Sequence, residues 1–141
     1  RARKGGGIYI EGTATLTNTN VYSNQANEGG GGLYITGTAT LTNTNVYANQ
    51  AINWGGGLYI WGTATLTNTN VYSNHLLHAY GVGANVYIKG GSEGDNVYRG
   101  ELILSGSSLA DFTGIHNDDG SIIERPAPSP PPLSPPPSPP P

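Results

Sequence analysis

The sequence of 141 residues contains no cysteine, which excludes disulfide bonds and thiolate chemistry. Charged residues are scarce at 11%, and the formal net charge is −3. No basic patch is therefore present to neutralise phosphates, and we expect no nucleic-acid partner. No apolar run approaches the roughly 20 residues that a membrane-spanning helix requires, so we expect no membrane span. The motif Asn-x-Ser/Thr is also absent, so N-glycosylation is not expected.

Proline is missing from the first 125 residues, and all 11 prolines fall between Pro126 and Pro141. The same first 125 residues contain all 22 glycines. This break in composition predicts one folded domain over residues 1–125 and a separate tail over residues 126–141. A secretory signal pattern is missing too, so a secreted protein of this sequence is expected to be a mature chain or a fragment.

Three near-identical repeats follow one another with a period of 25 residues. They span residues 5–29, 30–54 and 55–79, and the phrase GTATLTNTNVY is identical in all of them. A degenerate fourth copy is visible at 83–90, and an irregular fifth copy is predicted over 101–106. Repeats of this length are typical of solenoids, whereas β-propeller blades need about 40 residues.

Within each repeat, apolar and polar residues alternate with a period of two. In the first repeat the alternation covers residues 8–10 and 14–17, and Gly-rich and Asn-rich stretches separate these segments. The pattern predicts short strands joined by turns, and no helical period competes with it. A unit of this size cannot bury its own apolar face, but coils stacked at about 4.8 Å can. The predicted fold class is all-β, a short parallel β-helix of 4–5 coils.

Stacking places equivalent residues of successive coils above one another. The predicted interior ladders are Ile8/Leu33/Leu58, Ile10/Ile35/Ile60, Ala14/Ala39/Ala64, Leu16/Leu41/Leu66 and Val21/Val46/Val71. By alternation, two tyrosine ladders are predicted to point outward, Tyr9/Tyr34/Tyr59 and Tyr22/Tyr47/Tyr72. Amide ladders are predicted at the corners, where they hydrogen-bond from coil to coil, at Asn18/Asn43/Asn68 and Asn24/Asn49/Asn74.

A phrase of the form Gly-Gly-apolar, then a strand, then Thr-Asn-x-x-apolar-x-x-Asn recurs over roughly residues 5–90. It resembles the repeats of polymorphic outer-membrane-type and other cell-surface right-handed β-helix proteins. The resemblance implies a right-handed coil. It implies no single function, because that family includes adhesins, structural surface proteins and enzymes.

The tail reads PAPSPPPLSPPPSPPP. Proline fixes φ and lacks an N–H donor, so the tail is predicted to be a polyproline II rod on the order of 50 Å long. Its Ser-Pro-Pro-Pro units resemble the hydroxyproline-rich glycoproteins of algal and plant walls, such as extensins, pherophorins and flagellar mastigoneme proteins. That resemblance implies hydroxylation and O-glycosylation at Pro130, Pro131, Pro132, Pro135, Pro136, Pro137, Pro139, Pro140 and Pro141, and glycosylation at Ser129, Ser134 and Ser138. The alternative is an unmodified linker or a ligand for a proline-binding module.

Carboxylates clustered on one face, which polysaccharide cleavage requires, are missing from the repeats. The equivalent surface position of the three coils is Glu11, Thr36 and Trp61, so no acidic ladder forms. Acids gather only late, as in the segment 116–120, whose Asp-Asp-Gly is an ordinary turn signal. We therefore expect no enzyme activity, no catalytic residues, and no cofactor apart from covalent O-glycans.

Metal binding is only weakly indicated. Asp118 and Asp119 are candidate cation ligands, but a dedicated calcium loop needs several more spaced oxygens. His75 and His78 are predicted to be surface residues rather than ligands. The sequence therefore predicts no metal site.

Threonines alternate along one predicted strand of every repeat, so they share its outward side. The candidate binding face consists of Thr13, Thr15, Thr17, Thr38, Thr40, Thr42, Thr63, Thr65 and Thr67, and Thr19, Thr44 and Thr69 are predicted to extend it. Flat Thr-x-Thr arrays on β-solenoids resemble the faces of ice-binding proteins. Ice binding and carbohydrate or surface adhesion are therefore the alternative functions. The simpler interpretation is that threonine suits a solvent-facing strand.

Together these patterns predict a structural subunit of an extracellular glycoprotein fibre, surface appendage or cell-wall matrix of algal type. The repeat starts at Gly5 with no preceding segment to cover its apolar residues, and the last coils lose the consensus. Two unlike ends predict head-to-tail assembly, and a strand donated from residues 121–123 is an alternative docking element. The predicted partners are further copies of the chain in a homopolymer, and other wall or matrix glycoproteins.

Overall fold

In the computed structural model of this chain, residues 2–90, 100–105, 114–118 and 120–125 are described. The proline-rich tail with its predicted glycosylation sites lies outside these residues, as does Asp119. The described residues form strands and turns, without a helix.

Two five-stranded parallel sheets form two sides of a coiled stack. Sheet 1 contains, in spatial order, β2 (Ile8–Ile10), β6 (Leu33–Ile35), β10 (Leu58–Ile60), β14 (Val86–Ile88) and β16 (Ile115–Asn117). Sheet 2 contains β3 (Thr13–Thr17), β7 (Thr38–Thr42), β11 (Thr63–Thr67), β15 (Glu101–Ser105) and β17 (Ser121–Arg125).

Shorter parallel pairings complete each turn of the chain. Sheet 3 contains β4 (Asn20–Tyr22), β8 (Asn45–Tyr47) and β12 (Asn70–Tyr72). Two further pairs join β1 (Ala2–Lys4) to β5 (Ala26–Gly29), and β9 (Gln50–Ala51) to β13 (His75–Leu76).

The strand register follows the repeat. Leu41, for example, pairs with Leu16 on one side and with Leu66 on the other. The predicted parallel β-helix is therefore confirmed as a β-solenoid of about four turns.

The last turns differ from the prediction. Glu101–Ser105 was expected to lie in a fifth coil, but it pairs with Thr63–Thr67 and is therefore the second strand of the fourth coil. The sequence between the two strands of that coil is longer than in the first three coils, so the period of 25 residues did not identify them as one coil. Residues 121–123, given above as an alternative docking element for a neighbouring copy, belong to β17 (Ser121–Arg125), which pairs with β15 of its own chain.

The interior is one continuous apolar column that contains the predicted ladders. Leu33, Leu41, Leu58 and Leu66 are fully buried, and each contributes about 1.5–3 kcal/mol by leaving water. The alternation of Thr38–Thr42, in which Ala39 and Leu41 are buried and the threonines are not, is the period of two expected for such a strand.

A polar ladder also lies inside the stack. The Asn49 amide nitrogen donates to the side-chain oxygen of Asn74 at 3.0 Å and to the carbonyl oxygen of Val21 at 2.9 Å. Asn74 in turn donates to Asn85 at 2.9 Å, so the predicted Asn24/Asn49/Asn74 ladder is confirmed and extends into the fourth coil. Because every buried amide has partners, the ladder fixes the register without leaving a polar group unsatisfied.

The second predicted amide ladder is wrong by two residues. Asn18, Asn43 and Asn68 lie at corners as expected, with φ values of 52°, 49° and 47°, but their side chains are exposed. The ladder is formed instead by Asn20, Asn45 and Asn70, in which Asn45 donates to Asn20 at 2.9 Å and Asn70 donates to Asn45 at 3.0 Å. The left-handed backbone turns the corner side chains away from the stack, whereas the next strand aligns its amides.

The tyrosine ladder of sheet 1 is only partly as predicted: Tyr9 in the first coil is exposed, but its equivalents in the second and third coils are buried. Tyr34 and Tyr59 retain only 3% and 6% of their exposure, although both point away from the main apolar column. A second layer covers them, because Trp54 bridges to Gly29 and Val82 outside sheet 1. The other ladder is confirmed, since Tyr22 and Tyr72 are exposed and Tyr47 is partly exposed.

Glycine at the corner after sheet 1 permits close stacking of the coils. A Cβ atom on Gly37 would overlap the carbonyl oxygen of Gly12 in the preceding coil. At Gly12 itself a Cβ would meet nothing within 4 Å, because no described coil lies on that side.

Candidate functional site

The outward face of sheet 2 carries the nine predicted threonines in three ranks. Strands β3, β7 and β11 pair residue for residue, so each threonine lies beside its equivalent in the next coil. The ranks repeat at about 4.8 Å between coils and about 6.7 Å along each strand. All nine are exposed or partly exposed, so the structure gathers this predicted face onto one sheet.

The threonine face is narrower than predicted. Thr44 and Thr69 are buried, and the Thr69 hydroxyl donates to the carbonyl oxygen of Leu41 at 3.1 Å. The corner before them reverses the alternation, so these threonines face inward. Along the stack, the array ends at β15, where Glu101, Ile103 and Ser105 take the equivalent places.

Sheet 3 presents a stack of aromatic rings. The ring centroids of Tyr22 and Tyr47 lie 5.2 Å apart, those of Tyr47 and Tyr72 lie 5.3 Å apart, and the planes are nearly parallel. Because the tyrosines stack upon one another, most of their faces are covered. This surface therefore offers ring edges and hydroxyl groups, which is unsuitable for stacking a flat ligand upon the sheet.

A pocket of about 320 Å³ lies at the corner between sheet 1 and sheet 2, lined by Tyr9, Glu11, Thr36 and Trp61. Glu11, Thr36 and Trp61 are equivalent residues of successive coils, and each follows a strand of sheet 1. Sequence reasoning identified these three only as a surface position without an acidic ladder, and it missed the pocket. The sequence did contain a signal for the pocket, since this one position changes from acidic to hydroxyl to aromatic within an otherwise repeated phrase.

Asp118, in the late acidic segment, belongs to a small polar cluster with Tyr87 and Lys89. The Asp118 carboxylate accepts a hydrogen bond from the Tyr87 hydroxyl at 3.0 Å. It also forms an ion pair with the Lys89 amine at 3.4 Å. Burial, together with the hydrogen bond to Asp118, raises the pKa of Tyr87 to about 12. His116 stacks on the Tyr87 ring at 5.5 Å. The Asp118 carboxylate is thus engaged with the neighbouring coil.

Burial also raises the pKa of Tyr59 well above the usual range of a phenol, with nearby Tyr34 as the second cause. His75 and His78 are exposed, as predicted. Within the described ranges, no three His, Cys, Asp or Glu residues lie close enough to hold a metal ion.

In comparisons with family models, curated proteins and solved structures, none matches this chain. Among the residues that the structure describes, no helix has the length and apolar character needed to cross a bilayer.

Proposed function

We propose that this chain is a structural subunit of an extracellular glycoprotein fibre or surface appendage, and that it has no catalytic role. The observation that carries the proposal is the ladder organisation, in which each coil offers its neighbour the same donors, acceptors and apolar side chains. In head-to-tail docking, the open side of the first coil would meet the last coil of a second copy, whose Ile115 and Ile122 pack against the apolar column.

Load along such a stack is carried by many small interactions acting in parallel. Adjacent coils share backbone hydrogen bonds in every sheet, the buried Asn49 ladder, and stacked tyrosines such as Tyr22 and Tyr47. Each neutral hydrogen bond contributes about 0.5–1.5 kcal/mol, so the sum over one interface is large. A rod built this way is stiff without disulfide bonds.

The composition of the tail supports the extracellular part of the proposal. A polyproline II segment exposes all its side chains and has no internal hydrogen bonds, so it is open to hydroxylation and glycosylation. We expect the protein from its natural source to carry O-glycans on residues 126–141. Intact-mass measurement tests this, and a mass equal to that of the unmodified sequence would contradict it.

Self-assembly is tested by electron microscopy of the purified chain, where we expect filaments that lengthen with concentration. The matched variant is Gly12→Ala. Its added Cβ has open space within the single chain but would collide with a coil docked on that side, as a Cβ on Gly37 would collide with Gly12. Gly12→Ala should therefore keep the thermal unfolding midpoint and lose the filaments, whereas Thr13→Ala should keep both.

Dispersed particles at high concentration for the unmodified chain would defeat the assembly proposal. Filaments that form equally well with Gly12→Ala would show that a second copy does not dock against the first coil at Gly12.

The nine-threonine face supports a second candidate function, the binding of ice. Its hydroxyl and methyl groups repeat in two dimensions on one sheet, which suits the ordering of surface water into a regular layer. Thermal hysteresis measurements test this function. Thr40→Lys, at the centre of the face, should abolish hysteresis, whereas Asn45→Lys on sheet 3 should not; no hysteresis in the unmodified chain would rule the candidate out.

A further inference from the structure

One surface position changes its chemistry while the surrounding repeat stays the same. From Gly5 to Gln25 and in the equivalent stretches, most positions are identical and Ile8 alternates only with leucine. The position that follows the first strand reads Glu11, then Thr36, then Trp61. A carboxylate, a hydroxyl and an indole are thus brought into one column on the surface, beside the Tyr9 ring.

The size differences within this column create the pocket. Thr36 is the shortest of the three side chains and lies between Glu11 and Trp61, with about 4.8 Å to the coil on either side. The gap therefore lies on the outer side of Thr36 and extends over about two coil spacings along the stack. Trp61 bounds it at one end, and Glu11 with Tyr9 bounds it at the other. The volume of about 320 Å³ is at the lower end of the range of small-molecule sites.

The lining discriminates between classes of small ligand. Tyr9 is stacked on Tyr34 with centroids 5.3 Å apart and planes 6° apart, so its face toward the next coil is covered. The pocket therefore offers one indole, the edge and hydroxyl of a phenol, one carboxylate and one alcohol. An aromatic cage for a quaternary ammonium ion needs several open ring faces, which this pocket lacks.

A pyranose ring matches this set of groups. Its C–H face is apolar and can lie against an indole, while its hydroxyls donate to a carboxylate and exchange hydrogen bonds with alcohols. The exposed Glu11 carboxylate would repel a second negative charge in the pocket. Sugars that carry a carboxylate should therefore bind more weakly than neutral sugars.

We propose that the pocket lined by Tyr9, Glu11, Thr36 and Trp61 binds a single pyranose ring that lacks a carboxylate, such as the terminal sugar of a glycan. The pocket is open and small, so the dissociation constant is on the order of 1 mM for one site. The site lies within one chain and does not depend on fibre assembly. In a fibre, however, repeated copies would bind a branched glycan with greater avidity.

Titrations followed by backbone amide chemical shifts test the site. The probes are the methyl glycosides of glucose, galactose, mannose and N-acetylglucosamine. The methyl glycoside of galacturonic acid, with its carboxylate free, and tetramethylammonium are the discriminating ligands. At least one neutral glycoside should shift the amides around Thr36 in a saturable manner. The matched galacturonate should bind severalfold more weakly than galactose.

The repeat itself supplies variants that preserve the fold. Trp61→Thr and Glu11→Thr each introduce the residue that the second coil carries at the equivalent position, and Thr36→Trp introduces that of the third coil. Trp61→Thr should weaken binding at least tenfold by removing the indole, and Thr36→Trp should do so by filling the gap. Glu11→Thr should remove the preference for galactose over galacturonate. Tyr72→Ser, on sheet 3, should leave glycoside binding unchanged.

Three outcomes would overturn the inference. The first is that no glycoside shifts the pocket amides. The second is that Trp61→Thr and Thr36→Trp leave binding intact while circular dichroism shows both variants folded. The third is saturable binding of tetramethylammonium with no response to any glycoside, which would assign the pocket to a cation.

Discussion

At the scale of single residues, the burial of a side chain determines how well its substitution is tolerated. Leu41 is fully buried between Leu16 and Leu66, whereas Tyr47 is partly exposed between two other tyrosines. Leu41→Asp would place an unpaired charge in the apolar column and should cost about 3 kcal/mol or more. Tyr47→Ser should cost about 1 kcal/mol through lost ring stacking.

Chemical denaturation of the two variants checks this difference. Equal losses of unfolding free energy would mean that the assignment of inner and outer faces is wrong. Tyr59→Ser provides a third measurement. Because Tyr59 is buried outside the main column, this substitution should lower the unfolding free energy more than Tyr47→Ser does.

The two buried phenols predict a loss of stability in alkali. In the folded chain the pKa of Tyr87 is raised to about 12 and that of Tyr59 is raised as well, whereas in the unfolded chain both phenols have the ordinary pKa of 10.0. The unfolded state therefore releases these protons first. Stability should be constant with respect to these groups below pH about 10 and should fall by up to about 1.4 kcal/mol per pH unit for each tyrosine above it.

Unfolding free energies measured across this pH range, on the unmodified chain and on a Tyr59→Phe, Tyr87→Phe double variant, check the prediction. The double variant should show a smaller decline above pH about 10. An identical pH profile for both proteins would show that these phenols are not the cause.

At the scale of the strand and corner, the repeat provides a matched pair of glycines. A Cβ on Gly37 overlaps the backbone of the preceding coil, but a Cβ on the equivalent Gly12 meets open space. Gly37→Ala should therefore cost about 1–3 kcal/mol through forced separation of the coils. Gly12→Ala should change stability by less than about 1 kcal/mol. Thermal unfolding distinguishes the two, and equal effects would contradict the close stacking described here.

Much at this scale was predictable from the sequence. The period of two identified the strands of sheets 1 and 2, and the repeat gave their register and the identity of the apolar column. Thr44 was assigned to the wrong face because a left-handed residue at Asn43 reverses the alternation, and a period count carries no information about backbone angles.

Other features depended on contacts between segments that differ among the coils. Tyr34 and Tyr59 are buried because the layer containing Trp54 and Val82 folds over sheet 1. The pocket at Thr36 was not predicted, since it depends on the relative sizes of three side chains in different coils. Local patterns could not reveal either arrangement.

At the scale of the whole molecule, the repeat predicts that a coil can be removed. Deleting residues 40–64 joins Ala39 to Thr65 and restores the repeated phrase, so the shortened chain should fold with a lower midpoint. Deleting residues 40–63 leaves one extra residue in the strand, which moves part of it to the wrong face. Circular dichroism during heating should show a cooperative transition for the first deletion only. Similar transitions for both would contradict the register.

The identity of the first three coils also has a consequence for folding kinetics. The strand Thr38–Thr42 can pair with Thr13–Thr17 or Thr63–Thr67 through the same side chains, so the order of the coils is not encoded in these strands. That order must come from the segments that differ, such as the one carrying Trp54 and the longer one between Asn74 and Asn85. Until these segments dock, a chain can bring the first and third coils together and leave the second looped out. Refolding should therefore include a slow phase of coil exchange whose amplitude falls when the identical phrases are made different.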